Sequence, residues 1–349
     1  MKKLTVAVLF GGCSSEYSVS LESAHSVMTH MDRSKYIPVM IGISSRGEWF
    51  RFDGDVEKIA GDTWCNAADC TPAAISPDRS AHEVLVFHPG GVERISIDAA
   101  FPVLHGRNGE DGTVQGLIEL AGIPLVGCGT LASALCMDKD RAHKLAHVAG
   151  IAVPSAFVLG KDMEIEKVLE SADKLGYPLF VKPVKAGSSY GITKVQDRSE
   201  LPAAVRLAFD YDDRVIVEES ISGFETGCAV MGDDRLTVGE VDEIELADGF
   251  FDFTEKYTLK TSVIHVPARI SPEKAAEIKQ VAKTVYAALG CRGFARVDMF
   301  LTPSGRIVFN EANTIPGFTS HSRFPTMMKA AGISFEQMIS NVIELAVNR

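Results

Sequence analysis

Three residues near the end of the chain carry the oxygen atoms that a metal ion would need. Asp298 lies in one run of strand-forming residues, and Glu311 and Asn313 lie in a second run beyond a Thr-Pro-Ser-Gly turn. This pattern predicts a β-hairpin in which the three side chains can face one another. Two carboxylates and an amide suit Mg²⁺, which takes oxygen ligands and is often shared with phosphates. The alternative is a strand end with solvated carboxylates, which is the favoured interpretation for Asp298 considered alone.

Two lysines could bring positive charge to the phosphates of a nucleotide. Lys182 ends a predicted strand, and the small residues Gly-Ser-Ser-Tyr-Gly follow at 187–191. Their backbone N–H groups and hydroxyls can wrap phosphate oxygens. Lys139 stands at the start of a predicted helix and could meet the same phosphates. A plain turn after Lys182 and a solvated helix start at Lys139 are the alternatives.

Other polar segments lie at strand ends and in loops. In the acidic segment 218–225, a carboxylate at a strand end could accept a hydrogen bond from an adenine amino group, and a second could bind ribose hydroxyls. His105 ends another strand before a glycine-dense loop, which suggests substrate handling. Residues 249–260 are typical of a mobile lid. Surface carboxylates, a structural histidine and a loop packed by its own aromatic side chains are the simpler alternatives.

The composition indicates a globular protein and excludes some classes of partner. The 349 residues carry a net charge of -11 with a pI near 5.4, whereas nucleic-acid-binding proteins present basic surfaces. No apolar run reaches the length of a membrane span, and the N-terminus lacks the apolar core and cleavage site of a signal peptide. The seven cysteines are scattered, with no Cys-x-x-Cys pair, as expected of reduced thiols. We therefore expect a cytoplasmic protein that binds neither nucleic acid nor a membrane.

The candidate residues follow the elements of an α/β protein. An apolar strand over residues 4–10, a helix, and a strand over 36–43 predict an N-terminal doubly wound parallel-sheet domain. Ligands of such domains gather at the carboxyl ends of the strands. Residues 53–96 have a polar, irregular pattern, and one helix is expected over 130–149. The predicted domains are 1–128, 129–215 and 216–349, the last with a lid loop over 249–262.

Four motifs, in order along the chain, resemble those of the D-alanine–D-alanine ligase family of the ATP-grasp superfamily. They read HGRNGEDGTVQG at 105–116, MDKDRAH at 137–143, VKPVKAGSSYG at 181–191 and NEANTIPGFTSHS at 310–322. The second motif departs from the family in having His143 at its final basic position, followed by Lys144. The resemblance covers almost the whole chain. It implies a three-domain ATP-grasp ligase, with ATP held between the central and C-terminal α+β domains and the first substrate bound by the N-terminal domain.

The resemblance also implies a reaction. The carboxylate of a first D-alanine attacks the γ-phosphate of ATP, and the amine of a second substrate then attacks the carbonyl of the acyl phosphate. Phosphoryl transfer of this kind depends on positioning and on cancelling developing charge. ATP is a substrate, and two Mg²⁺ ions are expected, for which Mn²⁺ could substitute. The family further implies a homodimer that feeds peptidoglycan precursors.

By resemblance, the site residues take four roles. The metal ligands are Asp298, Glu311 and Asn313. The first D-alanine is oriented by the catalytic residues Glu16, Ser188 and Tyr257, and the oxyanion of the tetrahedral intermediate is stabilised by Arg296 and the backbone N–H of Gly317. The substrate-binding residues are His105, Lys256, Ser322 and Arg323. The ATP-binding residues are Lys139, Lys182, Ser189, Glu218, Glu219, Ile221, Glu225, Phe300 and Asn310.

One departure bears on the second substrate. The family usually has Leu or Met after the serine at position 322, whereas this chain has Arg323, similar to the vancomycin-resistance D-alanine–D-serine ligases. A guanidinium can hydrogen-bond a seryl hydroxyl, and a pocket built for a hydroxyl penalises the analogue that lacks it. We therefore expect D-serine as the second substrate. The alternative is a D-alanine–D-alanine ligase in which Arg323 forms a surface ion pair.

Two further functions are weaker alternatives. The D-alanine–D-lactate ligases carry a histidine in the lid, where this chain has Lys256 and Tyr257. A nucleotide-binding module without catalysis is a different class of function. It would be expected to have lost at least one metal ligand, the arginine or a lysine, and this chain has kept them all.

Overall fold

The computed structural model of the chain describes residues 2–187, 190–246 and 262–349. Within these residues, the strands form sheets of seven, four and six strands. The first sheet has the order β6-β5-β4-β3-β2-β1-β7. Its strands are β1 (Leu4–Gly11), β2 (Tyr36–Ile43), β3 (Trp49–Phe52), β4 (Cys70–Ile75), β5 (Glu83–His88), β6 (Gly91–Ser96) and β7 (Ala99–Pro102). Its helices are α1 (Tyr17–His30), α2 (Glu57–Ala60) and α3 (Thr113–Leu120).

The α/β prediction is confirmed at one end of this sheet. β1 pairs in parallel with β2 on one side and with β7 on the other. Val6, Val8 and Phe10 face one apolar core, while Ala7 and Leu9 face another. Because β1 is buried on both faces, its sequence is a continuous apolar run.

Residues 53–96 are more regular than the sequence predicts. β3, β4, β5 and β6 extend the sheet in antiparallel pairs, so the parallel pairing is confined to its β7-β1-β2 end. β6 is an edge strand whose side chains are mostly exposed. It therefore lacks the alternation of apolar and polar residues that marks a half-buried strand.

The second sheet is antiparallel and has the order β10-β9-β11-β8. Its strands are β8 (Ala156–Gly160), β9 (Leu179–Pro183), β10 (Thr193–Val195) and β11 (Arg214–Glu219). The helices before and within it are α4 (Thr130–Met137), α5 (Lys139–Val148), α6 (Ile165–Leu175) and α7 (Leu201–Phe209). The single helix predicted over 130–149 is therefore two helices, because Asp138 has an extended backbone and caps the second.

The third sheet has the path β15-β14-β12-β16-β17, with β13 paired to β12. Its strands are β12 (Phe224–Met231), β13 (Thr237–Val238), β14 (Asp242–Leu246), β15 (Ser262–His265), β16 (Phe294–Leu301) and β17 (Ile307–Asn313). The helices of this region are α8 (Pro272–Ala288), α9 (Arg323–Ala330) and α10 (Phe335–Val347). β16 and β17 confirm the predicted hairpin.

The first sheet shares an apolar core with the C-terminal part of the chain, whereas the second sheet does not. One core contains Val8 and Phe101 of the first sheet together with Phe318 and Phe324 from the C-terminal part. The second sheet has a core of its own. The predicted boundary between residues 215 and 216 falls inside β11, so the passage from the second sheet to the third comes after that strand. The division into three domains stays a prediction. No helix in the described ranges is long and apolar enough to span a membrane.

Candidate active site

One face of the β16–β17 hairpin is polar. In β16, Val297 and Met299 face an apolar core. Because successive side chains of a strand point to opposite sides, Arg296 and Asp298 face the other side of the sheet. Asp298 is only 1% exposed, so its carboxylate is held inside the protein.

A β-bulge turns the side chains of β17 to the same face. Phe309 and Glu311 pair with successive residues of β16, which leaves Asn310 as the extra residue. An extra residue reverses the alternation of side chains along a strand. Phe309 and Ala312 therefore both face the apolar core, and Glu311 and Asn313 face the polar side.

Hydrogen-bond donors surround the Asp298 carboxylate. Arg296 donates from Nε to Oδ1 at 2.8 Å and from Nη2 to Oδ2 at 2.7 Å. Asn313 Nδ2 donates to Oδ2 at 3.0 Å, and Arg323 Nη2 lies 3.4 Å from Oδ1. Burial raises the pKa of Asp298, but the two guanidinium groups more than offset this, so the pKa lies below its usual value. Asp298 is therefore ionised at neutral pH.

The donor set of the hairpin fits a hard divalent cation. Asp298 and Glu311 are direct neighbours across the two strands. Asn313 presents its amide nitrogen to Asp298, so it must turn its Oδ1 outward to act as a ligand. Mg²⁺ usually takes one or two carboxylates and completes its shell with water and substrate phosphates. Among the residues that the structure describes, no group of three or more His, Cys, Asp and Glu could hold a metal ion, so these three residues stay predicted ligands.

Lys139 lines a small cleft beside these carboxylates. The cleft has a volume of about 20 Å³, and its walls include Glu110, Lys139, Gly187, Glu311 and Asn313. Lys139 Nζ donates to the carbonyl of Ala186 at 2.7 Å and lies 3.8 Å from Glu311 Oε2. The predicted phosphate-binding lysine and the predicted metal ligands are thus together.

Lys182 forms a buried ion pair with Glu218. Its Nζ is 2.6 Å from Glu218 Oε2, and both side chains are almost fully buried. Glu218 Oε1 lies 3.7 Å from His143 Nδ1, and neither of these buried atoms has a hydrogen-bond partner. His143 Nε2 donates to the carbonyl of Asn310 at 2.7 Å. Lys139 is also near this pair, because its charge helps to lower the pKa of Glu218 and its backbone N–H bonds the carbonyl of Val184 at 3.2 Å. The contact of both lysines with phosphates stays a prediction.

Glu16 lies where loops of the first and second sheets meet. Its side chain is buried at the start of α1. A Cβ on Gly106 would lie 2.4 Å from Glu16 Oε2, and one on Gly187 would lie 2.8 Å from it. Gly106 also has a φ of +72°, which favours glycine. The absence of a side chain at these two positions lets both loops approach the carboxylate.

His105 connects the first sheet to the loop after β17. Its Nδ1 donates to the carbonyl of Ile315 at 2.9 Å, and its Nε2 lies 3.2 Å from Ser23 Oγ. Ser23 Oγ accepts from the backbone N–H of Phe318 at 3.2 Å. Burial lowers the pKa of His105 to about 4, so the ring is neutral at neutral pH. With Nδ1 protonated, Nε2 is free to accept from the Ser23 hydroxyl.

Glu110 lies in the glycine-dense loop after His105, and no role is predicted for it from the sequence. It lines the cleft of Lys139, and its Oε1 accepts from the backbone N–H of Gly106 at 2.9 Å. Burial, together with the carboxylates of Glu16 and Glu311, raises the pKa of Glu110 to about 8. Glu110 therefore carries a proton at neutral pH in the absence of a bound cation or ligand.

Replacing Glu110 with glutamine should flatten the pH dependence of stability. Because the pKa of Glu110 is raised on folding, the native state binds more protons than the unfolded state from about pH 4.5 to about pH 8. The free energy of unfolding of the wild type should therefore fall across that window by a few kcal/mol, on the order expected for such a shift. Urea unfolding at several pH values, without nucleotide or metal, measures this. The exposed Glu166, changed to glutamine, is the control, and equal slopes in wild type and Glu110→Gln would contradict the expectation.

Arg323 is buried and paired with carboxylates. It is 7% exposed and donates from Nε to Asp242 Oδ2 at 2.6 Å, from Nη2 to Asp242 Oδ1 at 2.9 Å, and from Nη1 to Glu225 Oε1 at 2.9 Å. A Cβ on Gly227 would lie 2.5 Å from Nη2. The alternative of a surface ion pair is therefore wrong. The bond to a seryl hydroxyl stays a prediction, and it would have to compete with Asp242 and Glu225.

The other predicted nucleotide residues lie along β11, β12 and β16. Glu219 Oε1 accepts from the backbone N–H of Ser155 at 2.8 Å. Phe300 pairs with Glu225 across β12 and β16. Ile221 is partly buried in the segment between β11 and β12. Their contacts with a nucleotide stay predictions.

Ser322 and Gly317 lie close together. Ser322 Oγ accepts from the backbone N–H of Thr319 at 3.1 Å, and a Cβ on Gly317 would lie 2.8 Å from that oxygen. Four predicted site residues lie outside the described residues: Ser188, Ser189, Lys256 and Tyr257.

Comparisons with known proteins show the family to which the chain belongs. Models of the D-ala D-ala ligase N-terminus and C-terminus match residues 5–128 and 145–344. The vancomycin B-type resistance protein VanB of Enterococcus faecalis is 47% identical over 100% of both chains. A putative D-alanine–D-lactate ligase of Streptomyces coelicolor is 45% identical over 99% of both chains. The solved structure of VanG D-Ala:D-Ser ligase from Enterococcus faecalis is 55% identical, with a TM-score of 0.92 over 99% of this chain and 100% of that one. The chain therefore belongs to the D-alanine–D-alanine ligase family, a family of ATP-using ligases.

Proposed function

We propose that the protein joins D-alanine to D-serine in an ATP-consuming reaction that passes through a D-alanyl phosphate. The observation that carries this proposal is the 55% identity, over 99% of the chain, to the VanG D-Ala:D-Ser ligase. The product would enter peptidoglycan precursors and contribute to vancomycin resistance. We further propose that the enzyme acts as a homodimer in the cytoplasm.

The phosphates of ATP would lie between Lys139 and the polar face of the β16–β17 hairpin. Mg²⁺ held by Asp298, Glu311 and Asn313 would neutralise the phosphate charge that develops during transfer. Lys139 adds a fixed positive charge in the same cleft, with its amine 3.8 Å from Glu311. Together these groups supply the charge compensation on which phosphoryl transfer depends.

The adenosine would lie further from the hairpin, against Glu218. One oxygen of this buried carboxylate is bonded to Lys182, and the other lacks a hydrogen-bond partner. A buried acceptor without a donor is costly, and the amino group of adenine is a suitable donor. Lys182 would then keep Glu218 ionised and contact the nucleotide from the same position.

The amino-acid substrates would be held by residues from all three sheets. Glu16 would accept the ammonium group of the first D-alanine, with Ser188 and Tyr257 in the same network. Arg296 faces the cleft side of the hairpin, where its guanidinium and the backbone N–H of Gly317 would stabilise the oxyanion of the tetrahedral intermediate.

Recognition of D-serine would involve Arg323 together with the carboxylates that it holds. The guanidinium bonds Asp242 and Glu225 at 2.6–2.9 Å. Because Glu225 is a predicted ATP-binding residue, a seryl hydroxyl would meet either this guanidinium or the Asp242 carboxylate. The guanidinium and the carboxylate can each form a hydrogen bond with a hydroxyl, and each would lack that bond opposite the methyl group of D-alanine. The proposal for D-serine therefore depends on this cluster as a whole rather than on a single bond from Arg323.

A competition experiment tests the second substrate. With ATP, Mg²⁺ and equal concentrations of D-alanine, D-serine and D-lactate, D-alanyl-D-serine should exceed each other product by more than about tenfold, because a site built for a hydroxyl on the side chain leaves polar groups unpaired with D-alanine. Mass spectrometry of the products at neutral pH measures the ratio. A majority of D-alanyl-D-alanine would replace the proposal with the D-alanine–D-alanine ligase alternative, and a majority of the ester product would replace it with a D-lactate ligase.

Phosphate release tests whether this chain is an active ligase. The wild type should release phosphate from ATP when D-alanine and D-serine are both present. If no pair of D-amino acids causes release, the protein is a nucleotide-binding module without catalysis.

A further inference from the structure

Three buried thiols meet behind the wall of the Lys139 cleft. Cys136, in the last turn of α4, has its Sγ 3.6 Å from that of Cys291, which follows α8. Cys128 donates to the carbonyl of Arg292 at 3.2 Å, and it is close enough to Cys291 for each thiol to shift the pKa of the other. All three side chains are at most 7% exposed. None of them has a part in the proposed ligation.

Only one of these three cysteines lines the cleft. Cys136 belongs to the lining of the cleft of about 20 Å³ that contains Lys139 and Glu311, whereas Cys128 and Cys291 do not. A volume of this size holds about one molecule as small as water. Hydrogen peroxide is only slightly larger than water, so we expect it to reach the Cys136 thiol more readily than bulkier reagents do.

We propose that Cys136 and Cys291 form an oxidisable thiol pair at the wall of the cleft, which hydrogen peroxide converts into a disulfide. The Cys136 sulfur attacks one peroxide oxygen, the O–O bond breaks, and a sulfenic acid and one water result. The Cys291 sulfur then attacks the sulfenic sulfur. The S–O bond breaks, the S–S bond forms, and the hydroxyl leaves as a second water with the proton of Cys291. The two thiols lose two electrons, and the peroxide is reduced to two waters.

The contact distance suits this second step. A disulfide has an S–S distance of about 2.05 Å, so the two sulfurs must approach by about 1.5 Å. Cys291 also remains a thiol until it reacts. Its contact with Cys128 lowers its pKa, but contact with Cys136 and burial raise the pKa well above the usual thiol value. The first attack therefore belongs to Cys136, the thiol at the cleft, and Cys291 resolves the sulfenic acid.

The new bond would join two segments that carry site residues. Cys136 is followed within α4 and its cap by Met137 and Asp138, and Lys139 begins α5. Cys291 precedes β16, the strand of Arg296 and Asp298. A covalent link between these segments would draw α4 toward the start of β16 and displace Lys139 from the cleft. Oxidation should therefore inhibit the enzyme reversibly.

The experiment treats the wild-type protein with hydrogen peroxide, blocks remaining thiols and maps the peptides by mass spectrometry without reduction. We expect a Cys136–Cys291 cross-linked peptide and a loss of ligase activity of about tenfold that dithiothreitol restores. The bulky aromatic disulfide of Ellman's reagent should instead modify the exposed Cys13 and Cys65 and form no such cross-link. A cross-link between Cys128 and Cys291, or oxidation confined to Cys13 and Cys65, would overturn the proposal.

Two variants separate the pair from general oxidation. Cys291→Ala should stop the reaction at a sulfenic acid on Cys136 and should not form the cross-link. Because dimedone is too bulky for the cleft, it is added while the peroxide-treated protein is unfolded in urea, where it traps the sulfenic acid. Cys65→Ala removes an exposed thiol elsewhere and should form the cross-link as the wild type does. If Cys291→Ala gives no dimedone adduct at Cys136, the peroxide does not reach that thiol and the proposal is wrong. An unchanged kcat in the cross-linked wild type would refute the displacement of Lys139.

Discussion

Changing Arg323 to leucine should lower the free energy of unfolding by about 3–5 kcal/mol, the range typical of a buried ion pair that loses one partner. Arg323 is 7% exposed, and its guanidinium bonds Asp242 and Glu225 and lies 3.4 Å from Asp298. Asp242 and Asp298 are themselves at most 1% exposed. Without the arginine, the negative charges of this cluster would be left in a region of low dielectric constant with Arg296 as their main compensation.

Urea unfolding at neutral pH measures the effect, and Arg269→Leu is the matched control. Arg269 also bonds a carboxylate, Glu243, but its side chain is 51% exposed, so its loss should cost less than about 1 kcal/mol. Arg323→Lys should fall between the two, because it keeps the charge but loses the two-point contact with Asp242. If Arg323→Leu is as stable as Arg269→Leu, the buried ion pairs of Arg323 contribute little to the free energy of unfolding. The arginine would then serve substrate binding rather than stability.

Because Arg323→Leu should be destabilised, it is a poor variant for testing whether Arg323 selects the second substrate. A leucine variant that is partly unfolded gives a product ratio that says little about D-serine. Arg323→Lys is the better variant, since a lysine amine can still pair with the carboxylates. The competition assay on the wild type remains the decisive measurement for the second substrate.

Changing Lys139 to methionine should lower kcat by about 10²–10³-fold, the typical loss when one charge-stabilising donor is removed from an active site. The lysine amine lies in the cleft beside Glu311, and its side chain is 7% exposed. Methionine has nearly the same length and no charge, so the packing of the stem is kept while the charge is lost. Phosphoryl transfer should suffer because the charge that develops on the phosphate loses one of its partners.

Lys144→Met is the matched control on the same helix. Lys144 follows the position at which the family motif ends in a basic residue, but its side chain is 72% exposed and bonds Asp140. Its replacement should leave kcat within about twofold of the wild type, as expected for a surface ion pair. Steady-state phosphate release with both amino acids present compares the two variants. Equal activity of Lys139→Met and Lys144→Met would show that the charge of Lys139 does not contribute to catalysis.

The sequence predicts the hairpin because it depends on a local pattern, whereas the metal ligands stay a prediction that draws most of its strength from motifs elsewhere in the chain. A Thr-Pro-Ser-Gly turn between two apolar strands indicates the hairpin, and the acidic residues stand where the strands can bring them together. The bulge at Asn310 is not readable from the sequence. Without it, Glu311 would point into the apolar core together with Phe309, so the bulge is what makes the predicted site possible.

The sequence does not reveal which distant residues form ion pairs. Arg323 and Asp242 are 81 residues apart, and no local pattern indicates that they pair in the interior. The same holds for Lys182, whose partner Glu218 lies on a neighbouring strand. Family resemblance supplies a list of residues that share a site, but the partner of each charge depends on packing between distant segments.

The separate core of the second sheet has a consequence for how the protein opens. The first and third sheets share one core, in which Phe101 and Phe318 pack edge to face, so they should unfold together. The second sheet packs on α6 and α7 around its own apolar residues, and Arg214 of β11 is joined to Asp140 of α5 by an ion pair at 2.8 Å. Such a unit can lose its structure locally without breaking the larger core. Amide hydrogens of β9 and β11 should therefore exchange with solvent sooner than those of β1 and β16, and bound nucleotide should slow that exchange.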